Sequence, residues 1–442
     1  MPLDRKRFEA TLSAIRKGRP APRRYVIAFS GGVDSAVLLH LAASLDDDVP
    51  LIALHIDHGL HPESARWAAQ AERFAAGLGI DFRVTNVETR DSGHGVEAAA
   101  RAARYAAFDE FLSAGDWLLS AHHRDDQAET LLLNLLRGSG TLGLAAMPQA
   151  RPCGHGLLVR PFLDIGRDAI HAYAGEHELD WQDDPSNIDR RFDRNFVRHD
   201  IVPVLRTRWP GVGKALARSA ELAADTHALL DALAAADFED IGAATPRRLP
   251  LTGLRRLDPR RQANLLRYAC RKAALPTPPA SRLHEVQQTL LCAAEDAQPV
   301  VTWPGASARR YRDTVFLLGE DAGSELPTAI LTPDGSVELG EGLGTLSLRP
   351  TAGLGIAPDV AGAGLSIAQR RGGERLKPSP EGATRRLKSL LQEAAVLPWM
   401  RDRLPLLERD GKLVAVGDLW IDAAYQTESG YAVVWQNKPE II

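Results

Sequence analysis

The chain has 442 residues, too many for a single compact core and enough for about two to four domains. Its 45% hydrophobic and 25% charged residues exclude disordered and fibrous classes, and a formal net charge of -4 excludes a uniformly basic nucleic-acid binder while leaving room for a local basic face. Three scattered cysteines, Cys153, Cys270 and Cys292, form no C-x-x-C and argue against a disulfide framework, a zinc ribbon or an iron–sulfur site, which fits a reducing compartment. The opening MPLDRKRFEATLSAIRKGRP lacks the apolar core of a signal peptide, and no later run approaches the roughly 20 apolar residues of a membrane span. A cytoplasmic protein with no membrane partner is expected.

From Tyr25 onward, β-branched runs alternate with alanine- and leucine-rich stretches. Strands are predicted at 25–29 (YVIAF), 51–56 (LIALHI), 81–87 (DFRVTNV) and 117–122 (WLLSAH). Helices are predicted at 36–45, 64–78, 95–114 and 125–138. Strand and helix repeated in this way require crossover connections, so the expected architecture is α/β with a parallel sheet covered on both faces. Its ligands should bind at the carboxyl ends of the strands. Beyond about residue 215 the text becomes helical, and beyond about 330 it turns glycine-rich and strand-like, with RLPLLERDGKLVAVGDLW reading as a hairpin around Asp410 and Gly411. The predicted domains are therefore 1–215, a helical 216–325, and a small α+β unit at 326–442.

Where the first strand ends, SGGVDS (Ser30 to Ser35) leads into a helix. Two glycines let the backbone approach an anion, and the amides and dipole of the helix start favour negative charge there. Ser30 and Ser35 add hydroxyl donors, and Asp34 is placed either to hold a magnesium ion against phosphates or to cap the helix. No Walker A pattern occurs, and the one G-x-G-x-x-G, at Gly138, Gly140 and Gly143, follows a helix instead of a strand.

In this position SGGVDS resembles the pyrophosphate loop of the N-type ATP pyrophosphatases, a fold also called adenine nucleotide alpha hydrolase-like. HIDHGLHPES (55–64), AHHRDDQAETLLLNLLRGSGTLGLAAMP (121–148), VRPFLDIGRDAI (159–170) and WQDDPSNIDRRFDRNFVRHDIVPVL (181–205) are similar to successive blocks of the tRNA(Ile)-lysidine synthetase family, as is RRGGERLKP (370–378) to its carboxyl-terminal domain. The resemblance implies an enzyme that adenylates the C2 carbonyl oxygen of the wobble cytidine of a CAU-anticodon tRNA(Ile) with ATP. The amine of free L-lysine then displaces AMP, and the lysidine formed pairs with A instead of G. ATP and Mg2+ are the implied cofactors, tRNA(Ile) and L-lysine the implied partners, and a homodimer is left open.

Carried onto this chain, the resemblance assigns ATP binding to Ser30, Gly31, Gly32, Val33, Asp34 and Ser35, with Asp34 as the metal ligand. Arg194 and Arg198, at i,i+4, can share a helix face and either neutralise charge developing on the α-phosphate or hold RNA phosphate. Asp125, Asp126 and Glu129 begin a helix at the ligand edge. Asp126 and Glu129 can present two carboxylates to the lysine ammonium and one can accept its proton, although Asp-x-x-Glu is also a capping box.

His55, His58 and His61 invite a metal reading, but their spacing of three on a strand-to-loop segment does not converge like a helical zinc pair. Two basic stretches are candidates for RNA phosphate, 187–218 and 369–390, the latter with Arg370, Arg371 and Arg375; the resemblance implies the anticodon side for the first and the acceptor stem for the second. The rival readings are a glutamine-using synthetase, for which no amino-terminal cysteine is present, a tRNA thiolase, which the scattered cysteines do not suit, and a nucleotide-sensing RNA-binding protein without turnover.

Overall fold

The computed structural model describes residues 2–59, 63–88, 96–182, 189–294, 297–320, 325–333 and 335–441. Two compact units divide the chain, Met1–Leu230 and Asp231–Ile442.

The first unit opens with α1 (Arg5–Arg16), which Asp4 caps by accepting from the Arg7 amide at 2.8 Å. There follow β1 (Arg24–Ala28), α2 (Val33–Ala43), β2 (Leu51–Asp57), α3 (Ser64–Gly77), β3 (Asp81–Asn86), α4 (Val96–Phe111), β4 (Asp116–Leu119) and α5 (Arg124–Leu136). Then come α6 (Thr141–Leu144), β5 (Ala150–Cys153), β6 (Gly156–Val159), α7 (Arg167–Glu176) and α8 (Asp193–Phe196), and a π-turn at Val197–Ile201 leads into α9 (Val202–Arg208) and α10 (Val212–Asp240).

The strands form one sheet in the order β3-β2-β1-β4-β6-β5. All neighbours are parallel except the β5–β6 hairpin, and Tyr25 lies in register with both Leu51 and Trp117. Strands covered on both faces read as continuous apolar runs, as in Val26, Ile27, Leu118 and Leu119, all fully buried. Ile27, Trp117, Leu119 and Val159 point to the face that carries α1, α2, α3 and α7. Val26, Leu54, Leu118 and Leu158 point to the other, where Phe108 of α4 and Leu112 just beyond it pack. The chain winds outward from β1 to β3 and then returns to β4 on the far side of β1. The topological switch point therefore falls between β1 and β4, where loops from both strands open a crevice.

The predicted strands and helices of this unit are all present with small shifts at their ends. The strand expected at 117–122 stops at Leu119, because His123 caps α5 and the intervening residues must turn. The β5–β6 hairpin was not expected from the sequence; it adds an antiparallel edge to the sheet.

In the second unit the predicted helical text forms α11 (Leu251–Arg256), α12 (Pro259–Lys272) and α13 (Ala280–Glu285). Asp258 caps α12 and Pro259 opens it, as the D-P-R-R spelling requires. These helices share a core with a four-stranded antiparallel sheet, built from β7 (Arg248–Pro250), β8 (Val300–Trp303), β9 (Ala306–Tyr311) and β10 (Thr314–Gly319), that the helical reading did not include. Beyond it, two five-stranded sheets enclose a second core. The predicted hairpin is there: Leu406–Arg409 pairs with Lys412–Val416, and Asp410 and Gly411 take φ of 49° and 73°.

Candidate active site

SGGVDS occupies the switch point as the turn between β1 and α2. Gly31 adopts φ 85°, a left-handed conformation that favours glycine. Gly32 is the N-cap of α2 and no side chain caps that helix end, so the alternative in which Asp34 caps the helix is not met. The first-turn amides are left facing the crevice, as an anion site requires. Ser35 Oγ donates to the Gly32 carbonyl at 2.9 Å and lies 3.2 Å from Ser30 Oγ, so the two serines brace the turn across its width. From outside, the Gln182 amide donates to the Gly31 carbonyl at 3.0 Å and its side-chain Nε2 reaches the Trp67 carbonyl at 3.1 Å. Next to Gly31 opens a cavity of about 400 Å³ between Phe29, Phe74, Arg73 and Trp181.

Across the crevice, α5 starts directly after β4. Its cap is His123, 2% exposed, whose Nδ1 accepts from the Asp125 and Asp126 amides at 3.2 and 3.4 Å, while Asp126 Oδ2 accepts from the His123 amide at 2.9 Å. The capping box thus runs from His123 to Asp126, and the alternative box from Asp126 to Glu129 does not form. Because Nδ1 is an acceptor, the neutral ring carries its proton on Nε2, which lies 3.7 Å from Asp34 Oδ2. The other oxygen of Asp34, Oδ1, is buried without a hydrogen-bond partner. Burial pushes the Asp34 carboxyl up, against the pull of His123 and with a further push from Asp126. A buried carboxylate oxygen in that condition suits a cation, and magnesium is commonly held by one or two carboxylates together with substrate phosphates. Among the described residues, no group of three or more His, Cys, Asp or Glu is arranged to hold a metal without such help.

Asp126 and Glu129 face Arg194 and Arg198. Arg194 reaches Asp126 Oδ1 at 2.9 Å and Glu129 Oε2 at 3.0 Å; Arg198 reaches Asp126 Oδ1 at 2.9 Å and Glu129 Oε1 at 2.7 Å. Two guanidiniums and two carboxylates form a closed, mostly buried lattice. Burial pushes Asp126 up, yet His123, Arg194, His122 and Arg198 together hold its carboxyl well below the ordinary range. The i,i+4 spacing of the arginines spans the junction of α8 with the π-turn. There Pro203 has no N–H to continue the α pattern, and the Val202 amide bonds instead to the Val197 carbonyl.

Asp125 was expected on the ligand side. Both its oxygens are engaged within the protein: Oδ1 with Arg206 of α9, and Oδ2 with the Arg167 amide that opens α7, at 2.9 Å. Counting acids within 187–218 alone overstated the free charge there, because α5 supplies the counterions for Arg194, Arg198 and Arg206, and Arg190 pairs with Asp200 at 2.9 Å. His55 is buried with Nδ1 2.9 Å from the Phe29 carbonyl, a packing contact. His61, and residues 183–188 of the WQDDPSN block, lie outside the described residues.

In the second unit, Arg375 and Leu376 pair with Arg385 and Arg386 in a short ribbon. Arg370 is tied to Asp402 at 3.1 Å, and Glu374 Oε1 accepts from the Arg371 and Gly372 amides at 2.6 Å. Arg371, Arg375, Arg386 and Lys388 are exposed.

Comparison with known proteins agrees with this geometry. A PP-loop domain model matches residues 5–205, a TilS substrate binding domain 249–316, and a TilS substrate C-terminal domain 365–435. The tRNA(Ile)-lysidine synthase of Alkalilimnicola ehrlichii is 43% identical over 93% of both chains. The chain belongs to the tRNA(Ile)-lysidine synthase family. Other synthases of the family, from Methylococcus capsulatus and Coxiella burnetii, are 41% and 39% identical over 92% and 89% of this chain, and over 94% and 88% of their own. The PP-loop domain that matches residues 5–205 is an ATP-binding domain.

Sequence reasoning missed His123 as the cap, Gln182 as the brace of Gly31, and His122. His122 Nδ1 lies 2.6 Å from Ser120 Oγ, and burial pushes its imidazole down to about 3, Asp126 opposing and Arg160, Arg194 and Arg101 reinforcing the fall. An unfolded ring takes its proton near 6.5 while the native one waits until about 3, so the unfolded state binds more protons between those values and stability falls as pH drops through them. The melting temperature is expected to fall from pH 7 to pH 5, and to fall less in His122→Gln. His40, His55 and His58 are shifted downward in the same way, so part of the dependence persists in that variant.

Proposed function

We propose that the chain forms lysidine on tRNA(Ile), ligating the amine of free L-lysine to C2 of the wobble cytidine of the CAU anticodon through an adenylated tRNA intermediate. The observation that carries this reading is the meeting, at one switch point, of a phosphate-binding turn with an acidic helix start tied to two arginines.

ATP is received by the α2 amides and by the hydroxyls of Ser30 and Ser35, with Gly31 and Gly32 allowing close backbone approach. Asp34 is the residue to hold Mg2+, which when bound would neutralise phosphate charge. The Nε2–H of His123 keeps the Asp34 carboxylate turned into the crevice. The C2 oxygen of the cytidine attacks the α-phosphorus and pyrophosphate leaves. Arg194 and Arg198 are within one lattice of the site where that charge develops and are suited to stabilise it. A guanidinium drawn toward phosphate frees a carboxylate of Asp126 or Glu129, and the lysine ammonium is the natural replacement partner. One of the two carboxylates then accepts the proton as the amine attacks and AMP departs. Asp125 acts by positioning, through α7 and Arg206.

The division of labour follows the domains expected from the sequence, catalysis in 1–215 and tRNA contacts in 216–325 and 326–442, with exposed Arg371 and Arg375 supplying phosphate contacts and Arg370 bracing them from its pair with Asp402. The spans of the three family models support it. Two of the three thiols are unsuited to sulfur transfer: burial pushes Cys153 up to about 11 and Cys270 up to about 12, so neither is a ready nucleophile. Among the described residues, no helix is long and apolar enough to cross a membrane.

The test is incubation of the protein with labelled lysine, ATP, Mg2+ and either CAU-anticodon tRNA(Ile) or initiator tRNA. Label is expected in the first alone, with AMP and pyrophosphate released in step. Incorporation into neither, or equally into both, overturns the reading.

A further inference from the structure

The lattice of Asp126 and Glu129 is neutral, but it borders a group of cations that is not. Arg101 and Arg104 lie one turn apart on the exposed side of α4, and Arg160 follows β6, 2% exposed, with its Nε buried and without a partner. Arg104 sets its Nη2 3.3 Å from His58 Nε2, just beyond β2, and Arg101 stacks on the Tyr105 ring at 5.4 Å. Arg151 covers the same ring at 4.8 Å, and Arg160 donates to the Pro148 carbonyl at 2.7 Å.

Among the described residues, the neighbouring acids are committed to other groups. Asp57 Oδ1 accepts from the Gly59 amide at 2.8 Å, Asp109 Oδ1 accepts from Cys153 at 3.2 Å, and Asp126 is held by Arg194 and Arg198. Among the described residues, none of Arg101, Arg104 and Arg160 has a carboxylate partner. The mutual repulsion is felt by the groups themselves. Loss of water around the guanidinium pushes down Arg104, whose side chain still reaches solvent, as well as the buried Arg160, and Arg101 adds to the fall in both, while the Tyr105 phenol, which burial would push up, is carried below its ordinary value by Arg151, Arg101 and Arg160.

Guanidiniums gathered without counterions near a ligand edge form a receptor for an oxyanion. Two phosphates could supply it, the pyrophosphate part of ATP or a phosphodiester of the RNA. The sheet favours the second. The ATP loop opens α2, which packs on the face of Ile27 and Leu119, whereas α4 packs on the opposite face against Val26 and Leu118. We propose that Arg101 and Arg104, backed by the buried Arg160, form a subsite for a backbone phosphodiester of the tRNA strand that delivers the target cytidine. This rests on the reading of the chain as a tRNA-modifying enzyme and adds the residues that would anchor the strand next to the reacting base. Arg104 of α4 reaches His58 at the end of β2 and Arg160 directly follows β6, so the subsite flanks the rim where β1 and β4 meet.

The test compares R101Q/R104Q and R101K/R104K with the unaltered protein; both positions are exposed, so folding is retained, and melting curves check it. Binding of CAU-anticodon tRNA(Ile) is measured without ATP over a range of salt, and ATP binding is measured without tRNA. The glutamine pair is expected to weaken tRNA binding roughly 10-fold or more and to flatten the dependence of log affinity on log salt by about 1 for each phosphate no longer neutralised. ATP affinity stays as it was, and the lysine pair recovers most of the RNA affinity. Unchanged tRNA affinity and salt slope would overturn the subsite, and an equal fall in ATP affinity would assign it to pyrophosphate instead. Weakened tRNA binding in the variant, alongside an unaltered protein that incorporates no lysine, would leave the subsite standing and sink the reaction.

Discussion

Asp34→Ala is expected to lower pyrophosphate release by at least about 10²–10³-fold while leaving the melting temperature nearly unchanged. The two halves of that expectation come from the same atoms. Asp34 sits in the first turn of α2 with Oδ1 buried and unpaired and Oδ2 3.7 Å from His123 Nε2, so no fold-stabilising hydrogen bond is lost with it. Burial disfavours its charge in the resting protein, and removing that charge should be neutral or mildly stabilising. A buried, unpaired carboxylate oxygen of this kind suits a ligand, which on the proposed reading is the Mg2+ and phosphates of ATP. Asp34→Asn tests the charge alone, since it keeps the shape. Pyrophosphate release by Asp34→Asn at the unaltered rate, measured at saturating ATP and tRNA, would remove Asp34 from the metal site.

Glu129→Ala is expected to be the more damaging substitution for the protein as a whole. Glu129 is 2% exposed and takes Arg194 on one oxygen and Arg198 on both, so its removal leaves two largely buried guanidiniums to share the single carboxylate of Asp126. Breaking a buried ion pair from one side costs about 3–5 kcal/mol, readable by chemical denaturation. Glu129→Gln keeps the volume and part of the hydrogen bonding and separates architecture from chemistry. In the fraction that remains folded, lysine incorporation should fall far more than pyrophosphate release, because adenylation does not require the amine. Parallel loss of both activities would mean that Glu129 serves the arginines only, and would transfer the lysine contact to Asp126 or elsewhere.

Much of the first unit could be read before any coordinates. Apolar runs at 25–29 and 51–56, alternating with helical stretches, read as strands buried on both sides, and the glycine pair after the first of them reads as an anion loop because Ser30, Asp34 and Ser35 flank it. The site was legible as residue types and illegible as pairings. Arg194 and Arg198 read in the sequence as cations for phosphate, but their counterions lie roughly 65 to 72 residues away on α5, a distance that charge counting along the chain does not cross. Asp125 stood in the same motif as Asp126, yet a single step along the helix turns it from the crevice toward α7 and Arg206. Arg101 and Arg104 drew no notice because helical arginines one turn apart are ordinarily solvated; what marks them is the company of Arg160 and His58, which arrive from other strands. In the second unit, short alternating runs such as VVTW and SARRY were overshadowed by the longer helices around them.

The π-turn at Val197–Ile201 sets local helix quality against function. It carries more residues in its turn than an α-helix does, with poorer hydrogen bonding. Deletion of one residue between Arg198 and Arg206 would let the segment run as a straight α-helix, yet it would rotate Arg206 by about 100° relative to Arg198 and part it from Asp125. Variants chosen for heat resistance at this segment would therefore tend toward the better helix and the poorer enzyme, and selection for turnover is what would keep the irregular turn in place.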